Sequence, residues 1–581
     1  MIENNYFDDN QDLMDFFQYA VDWPEIVAAY ELGFKDNKKY QETSDENLMY
    51  APSTVDEAVE MYKMTLTSVG DIAGNFLAPR ASKMDDTGLK FANGQVTFPA
   101  EMIEVYEKLK EAGVFAYGMN RKYGGLGQGS TVTSILNELL ARGDGAFAIA
   151  IGCLNLAETV ERFGDAEMIK EWVPKMAAGD VFGAMALTEP NYGSDLPNVQ
   201  TKAFQDENGH WRLTGTKRFI THGCGFADYP AVILTLARTG STTSGAKGLS
   251  FFLVESKDVE IAGIEKKLGL HCSPTCEVVY DNAPAQIIGK EGFGLVRYAM
   301  GMMNTARLSI ASQSMGIAAA AYGEAHKYAG EREQFGKLIK TIPAVDKMLS
   351  RMDREMYAMR CLLYEAARSV DLYYWKTTDM EHQGMDAREI RKDEQIKVWD
   401  KLATFFTPLA KYYNSELCNS IAYDTIQIHG GSGFTEEYDA ARIYRDARIT
   451  NIYEGTTQMQ VHAIIGGVAA GMSDNGYVRD YIEGELKRFT PSKELLAVRE
   501  LFEKAAALYK TIDGSDNKEY RAFEAVESAA RFVNGMLMER NAERMPADKQ
   551  ERYKAMAQAY HLDSKAQIQA NLIKLEAAQA A

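Results

Sequence analysis

One carboxylate in the segment 450–460 has neighbours that could make it a base. Glu454 lies among apolar and hydroxyl side chains and directly precedes Gly455. A carboxylate in a poorly solvated pocket binds a proton more tightly, because removal from water penalises its charged form. The glycine lets a ligand approach the backbone closely. Glu-Gly pairs more often only end a helix, so this segment gains weight from others that fit the same chemistry.

Two segments offer hydrogen-bond donors and an aromatic face to a flat, polar ligand. The loop 187–196 follows a predicted strand and is dense in turn-forming and hydroxyl residues, whose backbone N–H and hydroxyl groups could bind such a ligand. Phe219 and Thr221 are two residues apart and so share one side of a strand, which suits stacking and hydrogen bonding to a ring. The alternatives are an ordinary surface turn and a strand with mixed faces.

Two further segments could contact phosphate or bring the backbone against a ligand. Arg332 ends a predicted long helix and could bind a phosphate bidentately or complement the helix dipole. The glycine-rich stretch 427–434 follows another helix. It could lie directly against a ligand or simply cap that helix.

The sequence lacks the common motifs for nucleotide and metal binding. No G-x-G-x-x-G follows a strand, and the loop 240–248 lacks the Gly-Lys-Ser/Thr of a phosphate-binding loop. No H-E-x-x-H occurs, and Cys272 and Cys276 have no second pair at a zinc-site spacing. We therefore expect no metal site. Six cysteines in 581 residues indicate the reduced thiols of a cytoplasmic protein.

The charge balance bears on partners and location. The chain has 63 basic and 82 acidic side chains and a net charge of −19. Such a surface repels nucleic-acid backbones and acidic membranes, so we expect neither as a general partner. The acidic start lacks the features of a signal peptide, and the most apolar stretch, 146–157, is too short to span a bilayer. We expect a cytoplasmic protein without membrane insertion.

Helical and strand-like patterns alternate along the chain in large blocks. Apolar residues recur at helical spacing from about 10 to 180, and helical periodicity resumes near 292, with 302–333 as one long helix. The strand-like runs between these blocks are 182–187, 211–220, 231–237 and 249–254. This order argues against a doubly wound α/β fold and predicts an α+β multidomain protein.

The chain is too long for one core, and we predict five regions. A break at 473–476 separates the last helices from the preceding ones. The predicted regions are an N-terminal helical extension (1–54), an N-terminal α domain (55–181), a central small β domain (182–285), a C-terminal α-helical bundle (286–472) and a C-terminal helical extension (473–581).

Taken together, these segments resemble the acyl-CoA dehydrogenase flavoprotein family over roughly residues 55–470. The shared motifs are, in order, Thr-Glu-Pro-x-x-Gly-Ser-Asp, aromatic-Ile-Thr, Arg-x-Gln-Phe-Gly, Gln-Ile-x-Gly-Gly-x-Gly and Ile-Tyr-Glu-Gly-Thr. The terminal helices, with the segments 268–277 and 302–308, are similar to a longer branch that includes the 3-(methylthio)propionyl-CoA dehydrogenases. The resemblance implies an N-terminal helical domain, a central β domain, a C-terminal four-helix bundle and extra C-terminal helices.

The resemblance also implies a chemistry. The enzyme would use FAD to dehydrogenate an acyl-CoA thioester to a 2-enoyl-CoA and would pass the electrons to an electron-transfer flavoprotein. Glu454 would take the α-proton and flavin N5 the β-hydride. The thioester carbonyl would accept hydrogen bonds from the Glu454 backbone N–H and a flavin ribityl hydroxyl. We expect a short or thioether-containing acyl-CoA as substrate and, because the family shares FAD sites between subunits, a homodimer or homotetramer.

The family's binding residues carry over onto matching positions of this chain. Those implied to bind FAD are Met185, Leu187, Thr188, Gly193, Ser194, Phe219, Thr221, Thr456 and Gln458. Those implied to reach the FAD of a neighbouring subunit are Arg332, Gln334, Phe335, Gln427 and Gly431. Those implied to bind the acyl-CoA are Ser194, Asn304, Arg307, Tyr453 and Gly455.

Several positions depart from the family's pattern. Phe219 stands where a tryptophan is usual, so the aromatic face is kept and the indole N–H is lost. Asn191 and Tyr192 replace smaller residues, which would reshape the mouth of the pocket. Asn304 stands where many relatives have an aspartate, which puts its contact with CoA in doubt.

The sequence also bears on the identity of the base. Some relatives place the catalytic glutamate directly before the arginine that matches Arg307. Here that position is Ala306, which cannot take a proton, so Glu454 is the remaining candidate. The alternatives on the same fold are an oxidase, a lyase or a DNA-associated stress protein. The last would use a basic C-terminal region, and here that region is mixed in charge.

Overall fold

The computed structural model describes residues 1–113, 115 and 117–579. The chain divides into two compact units. One comprises residues 1–6 and 33–306, and the other comprises residues 7–32 and the chain from Arg307 onward.

Most of the described chain is helical. In chain order the α-helices are α1 Gln11–Asp15, α2 Trp23–Glu31, α3 Lys35–Thr43, α4 Val55–Asp71, α5 Ala81–Thr87, α6 Ala100–Glu111, α7 Ser130–Gly143, α8 Gly145–Gly152, α9 Ala157–Phe163, α10 Ala166–Ala177, α11 Met300–Glu331, α12 Pro343–His382, α13 Ala387–Ile390, α14 Glu394–His429, α15 Asp439–Ala447, α16 Thr457–Ala469, α17 Tyr477–Leu486, α18 Lys493–Thr511, α19 Ser515–Arg544 and α20 Ala547–Gln579.

The strands are concentrated in the middle of the first unit. They are β1 Lys90–Ala92, β2 Gln95–Thr97, β3 Phe182–Ala186, β4 Lys202–Gln205, β5 Trp211–Thr221, β6 Ala231–Arg238, β7 Leu249–Glu255, β8 Glu260–Ile264, β9 Thr275–Ile288, β10 Glu333–Gln334 and β11 Lys337–Leu338.

Strands β3 to β9 form one seven-stranded sheet that closes on itself. Its order is β3-β6-β4-β5-β9-β7, with β8 added to β9, and β6 also pairs with β7. The β3–β6 pairing is parallel, whereas β5, β7 and β8 each pair antiparallel with β9. This sheet carries the loop 187–196 and the segment 217–221.

Strand β6 is apolar on both faces, and both faces are buried. Val232, Leu234 and Leu236 pack into a core that includes the apolar side of α10. Ile233 and Ala237 point to the other side, into a core shared with β5, β7 and β9. This two-sided burial explains why β6 is mostly apolar, with Thr235 and the terminal Arg238 as its polar residues.

The strand predictions were incomplete. The strands predicted at 182–187, 211–220, 231–237 and 249–254 are confirmed as β3, β5, β6 and β7. Strands β4, β8 and β9 were not predicted, and the β1–β2 hairpin lies in a region predicted as helical. Strand β9 contains Asn282 with a φ of +53° and Pro284, which interrupt its alternation. Strands β1, β2 and β4 have only three or four residues, too few for a pattern to be visible.

The second unit is helical. Helix α12 packs on α14, and α14 packs on α16. Helices α18, α19 and α20 pack on one another, and α19 also contacts α12 and α16. Ser492 caps the start of α18: its hydroxyl accepts the Leu495 N–H at 3.1 Å, and the helix begins at the next residue.

The N-terminal segment 7–32 belongs to this second unit. Helix α2 packs on α12. The Tyr30 hydroxyl donates to the Asp371 carboxylate at 2.7 Å, and the Arg368 guanidinium donates to Glu25 at 3.0 Å. These contacts join the start of the chain to the long α12 helix. Among the described residues, no helix combines the length and the apolar character needed to cross a membrane.

Candidate active site

Glu454 lies in a sharp turn between α15 and α16. The φ angle of Glu454 is +54° and that of Gly455 is +91°. The left-handed region is open to glycine but costs a glutamate on the order of 1 kcal/mol or more. A turn of this kind persists only when its surroundings hold it, so the neighbours of Glu454 are part of the site.

Two side chains hold the carbonyl groups of this turn. The Gln460 side-chain amide donates to the carbonyl of Glu454 at 3.0 Å and to that of Gly455 at 2.8 Å. The Lys411 ammonium, from α14, donates to the same Gly455 carbonyl at 2.7 Å. The backbone on both sides of the carboxylate is therefore fixed by hydrogen bonds.

Helix α14 anchors the rest of the loop as well. The Glu416 carboxylate accepts from the Asn451 side-chain amide at 3.1 Å and from the Thr457 hydroxyl. The Asn419 amide donates to the carbonyl of Ala447, the last residue of α15, at 3.0 Å. Helix α14 thus holds the segment that contains Glu454 at four points, through hydrogen bonds to Ala447, Asn451, Gly455 and Thr457.

Burial raises the pKa of the Glu454 carboxyl, although the cations of Lys411 and Arg307 act in the opposite direction. Arg307, on α11, is itself 7% exposed, and burial lowers the pKa of its guanidinium. A carboxylate with a raised pKa is a better base than one in water. The Glu454 carboxyl can therefore accept a proton from a bound ligand, while the cations of Lys411 and Arg307 favour its ionised form before the transfer.

The sequence analysis missed Lys411. Its side chain is buried, and burial lowers its pKa to about 8 although the carboxylates of Glu454 and Glu416 favour the charged form. A signal was present: lysine interrupts the apolar run 402–413 of α14 at a position that helical spacing places on the buried face. A buried cation requires a partner, and that rule would have singled it out.

Tyr453 precedes the candidate base and is half-buried. Its hydroxyl donates to the Gln313 side chain on α11. Burial, followed by the charge of Glu454, raises the pKa of this phenol. Its contact with substrate remains a prediction.

The other residues predicted for this unit lie mostly on exposed surfaces. Arg332, Gln334 and Phe335 lie at the hairpin that follows α11, and Phe335 is 91% exposed. Gln427 and Gly431 are exposed at the end of α14. A side chain at Gly431 would have no atom within 4 Å. This exposure is compatible with the predicted contacts to a neighbouring subunit, which remain predictions. Thr456 and Gln458 lie at the start of α16.

In the first unit, the structure brings two predicted segments together. The Thr188 carbonyl accepts the Arg218 N–H at 3.0 Å, so the loop after β3 lies against the segment that contains Phe219 and Thr221. Met185 and Leu187 are largely buried beside this loop, whereas Gly193 and Ser194 are exposed. The loop that contains Thr188 and the segment that contains Phe219 are therefore neighbours within this unit, and their contacts with FAD remain predictions.

A buried ion pair fixes the loop 187–201. The Lys217 ammonium donates to Glu189 at 2.9 Å and to the Leu187 carbonyl at 2.9 Å. The Glu189 carboxylate also accepts the N–H groups of Gln200 at 2.6 Å and Thr201 at 2.8 Å. Burial lowers the pKa of Lys217 to about 8. Neither residue was given a role from the sequence, although Glu189 lies within the Thr-Glu-Pro motif.

Phe219 does not occupy a regular strand position. Its φ is +64°, and the β5–β9 register shifts between Lys217 and Ile220. One extra residue on β5 produces this bulge, so the expectation that Phe219 and Thr221 lie in simple alternation was wrong. The ring is 53% exposed, which leaves an aromatic face open for stacking.

Asn304 lies on α11 and is half-buried. In residues 1–113, 115 and 117–579 we find no group of three or more His, Cys, Asp or Glu side chains placed to hold a metal ion.

Three family models match successive parts of the chain. The acyl-CoA dehydrogenase N-terminal domain matches residues 60–180, the middle domain matches 184–283, and the C-terminal domain matches 290–374 and 385–468. These matches, with the helices and strands described above, confirm the predicted order of a helical, a β and a helical domain.

Individual relatives cover most of the chain. The 3-methylmercaptopropionyl-CoA dehydrogenase of Ruegeria pomeroyi is 30% identical over 473 residues, which span 78% of this chain and 75% of that protein. A chain in a structure of the electron transferring flavoprotein of Acidaminococcus fermentans is 28% identical with a TM-score of 0.59, and covers 70% of this chain and 98% of its own. The acyl-CoA dehydrogenase of Bacillus anthracis, solved with FAD, has a TM-score of 0.73 over 89% of this chain and 88% of its own. At 23% identity, that last likeness shows the fold alone.

Proposed function

Because the chain belongs to the acyl-CoA dehydrogenase family, we propose that Glu454 removes the α-proton of an acyl-CoA thioester as the substrate is converted to a 2-enoyl-CoA. The chain is an acyl-CoA dehydrogenase, and FAD is the cofactor of this family. The observation that carries the proposal is the half-buried Glu454 carboxylate, held in a strained turn and acted on by the cations of Lys411 and Arg307.

The residues present fit FAD. An exposed aromatic ring at Phe219, next to the loop that contains Thr188, offers a stacking face. The open backbone at Gly431 offers close approach to a phosphate or sugar. We propose that Phe219 and Thr188, with Thr221 and Ser194, hold the cofactor, and that Gly431 reaches the FAD of a neighbouring subunit. When bound, FAD supplies the acceptor for the hydride from the β-carbon.

The chain's own residues must make the α-proton acidic enough to leave. The α-proton of a free thioester is far too weakly acidic for a carboxylate in water, so the site must stabilise negative charge on the carbonyl oxygen and exclude water. We propose the Glu454 backbone N–H as one donor to that oxygen. The raised pKa of the Glu454 carboxyl then favours proton transfer to it.

We propose a short or thioether-containing acyl-CoA as the substrate. The reason is that a relative named as a 3-methylmercaptopropionyl-CoA dehydrogenase matches this chain over 75% of its own length. An electron-transfer flavoprotein is the proposed electron acceptor, and oxygen consumption would indicate an oxidase instead. We propose the five regions predicted from the sequence as the domain organisation. The proposed assembly is a homodimer or homotetramer with FAD sites shared between subunits.

The test is to replace Glu454 with glutamine, which keeps the shape and removes the base. We expect Glu454→Gln to retain FAD and to lose substrate-dependent bleaching of the flavin by 100-fold or more, on the order of a general base's contribution. The control Glu494→Gln removes an exposed carboxylate of α18 and should bleach as the wild type does. A panel of acyl-CoA thioesters in the same assay identifies the substrate. Bleaching by Glu454→Gln at near the wild-type rate would show the assignment to be wrong.

A further inference from the structure

Lys411 is a cation without solvent exposure in the middle of a helix. Its relative exposure is 0%, and its neighbours on α14 from Phe405 to Ser415 are also buried. Burying an ammonium group costs free energy unless its charge and its N–H donors are matched. An apolar residue would fill this position at lower cost, so the contacts of the ammonium group indicate what the lysine does.

Those contacts lead to the turn that carries Glu454. The ammonium donates to the Gly455 carbonyl at 2.7 Å, and the Gln460 amide donates to the same oxygen at 2.8 Å. Residues in left-handed backbone conformations persist when the surroundings over-determine them. Two donors on one carbonyl, directly after the left-handed Glu454, meet that condition.

Charged groups face Lys411 from three elements. The Glu454 carboxylate faces it from the turn, Glu416 from α14 itself, and Arg307 from α11. Glu416 also accepts hydrogen bonds from Asn451 and Thr457. The groups that face Glu454 are Lys411 and Arg307, with the phenol of Tyr453 beside it. Lys411 is therefore both an anchor of the turn and a counter-charge for its carboxylate.

We propose that Lys411 is a positioning residue for the reaction assigned to Glu454: its ammonium group fixes the turn and supplies a positive charge that favours the ionised form of the carboxylate. This inference rests on the proposed function of Glu454. It adds that burial makes Glu454 a stronger base, whereas the positive charge of Lys411 on α14 acts in the opposite direction.

The proposal has a consequence for the pH dependence of the reaction. Burial raises the pKa of Glu454, and the Lys411 cation limits that rise. Removal of the cation should therefore raise the pKa of Glu454 further, because an opposite charge that favours the carboxylate is lost. The acid limb of the rate profile then moves to higher pH by the same amount. Above pH 8 the neutral amine still donates to the Gly455 carbonyl, so the turn remains anchored.

The experiment compares three variants of the full-length, FAD-loaded enzyme. Lys411→Met keeps the length of the side chain but removes its charge and donors, and Lys411→Arg keeps both. Lys401→Met makes the first substitution at an exposed lysine of the same helix. The kcat/KM for flavin bleaching by butyryl-CoA, or by the best thioester of the panel, is measured from pH 5 to 9. Circular dichroism and bound FAD report folding.

We expect the acid limb of Lys411→Met to move up by about one pH unit, which is about a tenfold loss of kcat/KM on that limb. Lys411→Arg should restore the wild-type limb, and Lys401→Met should not change it. An infrared titration of the carboxyl band that disappears in Glu454→Gln should show the same shift without substrate. If Lys411→Met fails to fold, Lys411→Gln removes the charge and keeps an N–H donor, and the same shift is expected.

The outcomes separate this inference from the proposed function. If Glu454→Gln abolishes bleaching but both the acid limb and the infrared titration of Lys411→Met match the wild type, only the role of Lys411 is overturned. If Glu454→Gln still bleaches the flavin, the proposed function fails, and the positioning role fails with it. If Lys411 had a purely structural role, Lys411→Met would lower FAD retention or stability and would shift neither the acid limb of kcat/KM nor the infrared titration of Glu454.

Discussion

Two buried lysines hold two loops, one in each unit, and they do so differently. Lys217 forms an ion pair with Glu189, whose carboxylate also accepts two backbone N–H groups. Lys411 donates to a backbone carbonyl, and its positive charge interacts electrostatically with the carboxylates of both Glu454 and Glu416. Burial lowers the pKa of each lysine to about 8.

The difference lies in what happens to the carboxylate. The pKa of Glu189 is lowered, because the Lys217 charge and the N–H donors of Gln200 and Thr201 outweigh the opposing effect of burial. The pKa of Glu454 is raised, because burial outweighs its two cations. The first carboxylate is a fixed structural group, whereas the second remains able to take up a proton. A buried lysine alone therefore does not indicate a role; the state of its partner does.

The largest expected effect is on the stability of the Glu189–Lys217 pair. Lys217→Met leaves a buried carboxylate without its cation, and we expect a loss of about 3–5 kcal/mol in the free energy of unfolding of the first unit. Lys411→Met should cost about 1–3 kcal/mol in the second unit, because the Gly455 carbonyl keeps its Gln460 donor.

Urea unfolding of both variants checks this order. The double variant Lys217→Met/Glu189→Gln should recover part of the loss, since it removes the uncompensated charge. Equal losses of unfolding free energy in the two single variants would contradict the distinction between the Lys217–Glu189 ion pair and Lys411, which donates to a backbone carbonyl.

The next effect concerns the exposed ring of Phe219, beside the loop that Lys217 holds in the first unit. Phe219→Ala should weaken FAD binding about tenfold, the loss expected for one aromatic contact. Its effect on stability should stay within about 0.5 kcal/mol, because the ring is 53% exposed. Phe204→Ala, at a 43% exposed ring of β4 in the same sheet, is the matched control and should retain FAD normally. FAD release on dilution, measured by flavin fluorescence, distinguishes the two variants.

The sequence predicted some of this arrangement and missed other parts for physical reasons. The Ile-Tyr-Glu-Gly-Thr segment identified Glu454, because a carboxylate among apolar residues beside a glycine is a pattern of sequence neighbours. The bulge at Phe219 was not visible, because one extra residue in β5 is defined only by its pairing with β9. Lys411 precedes Glu454 by 43 positions, so only the packing of α14 on the turn reveals their relation.

The smallest expected effect is a pair of opposite pH dependences. The folded-state pKa of Glu189 lies below its ordinary value of 4.5. Its stabilising contribution is therefore present above that value and is lost as the pH falls through the folded-state pKa. The folded-state pKa of Glu454 lies above 4.5, so its contribution is present at low pH and is lost as the pH rises through the folded-state pKa.

Melting temperatures from pH 4 to 8 test these signs. Relative to the wild type, Glu189→Gln should be less stable at pH 8 than at pH 4, and Glu454→Gln should be more stable at pH 8 than at pH 4. The shifts should be a few degrees. Two variants with the same trend would contradict the assignment of opposite pKa shifts to the two carboxylates.

The most direct test of the central claim measures proton removal alone. A 3-thia-acyl-CoA has sulfur in place of the β-carbon, so it can lose an α-proton but no hydride. The FAD-loaded enzyme in deuterium oxide should exchange the α-hydrogens of this compound for deuterium, as followed by NMR. We predict that Glu454→Gln lowers the exchange rate at least 100-fold, on the order of a general base's contribution, and that Glu494→Gln leaves it unchanged. Exchange by Glu454→Gln at the wild-type rate would contradict the account, because another group would then be the base.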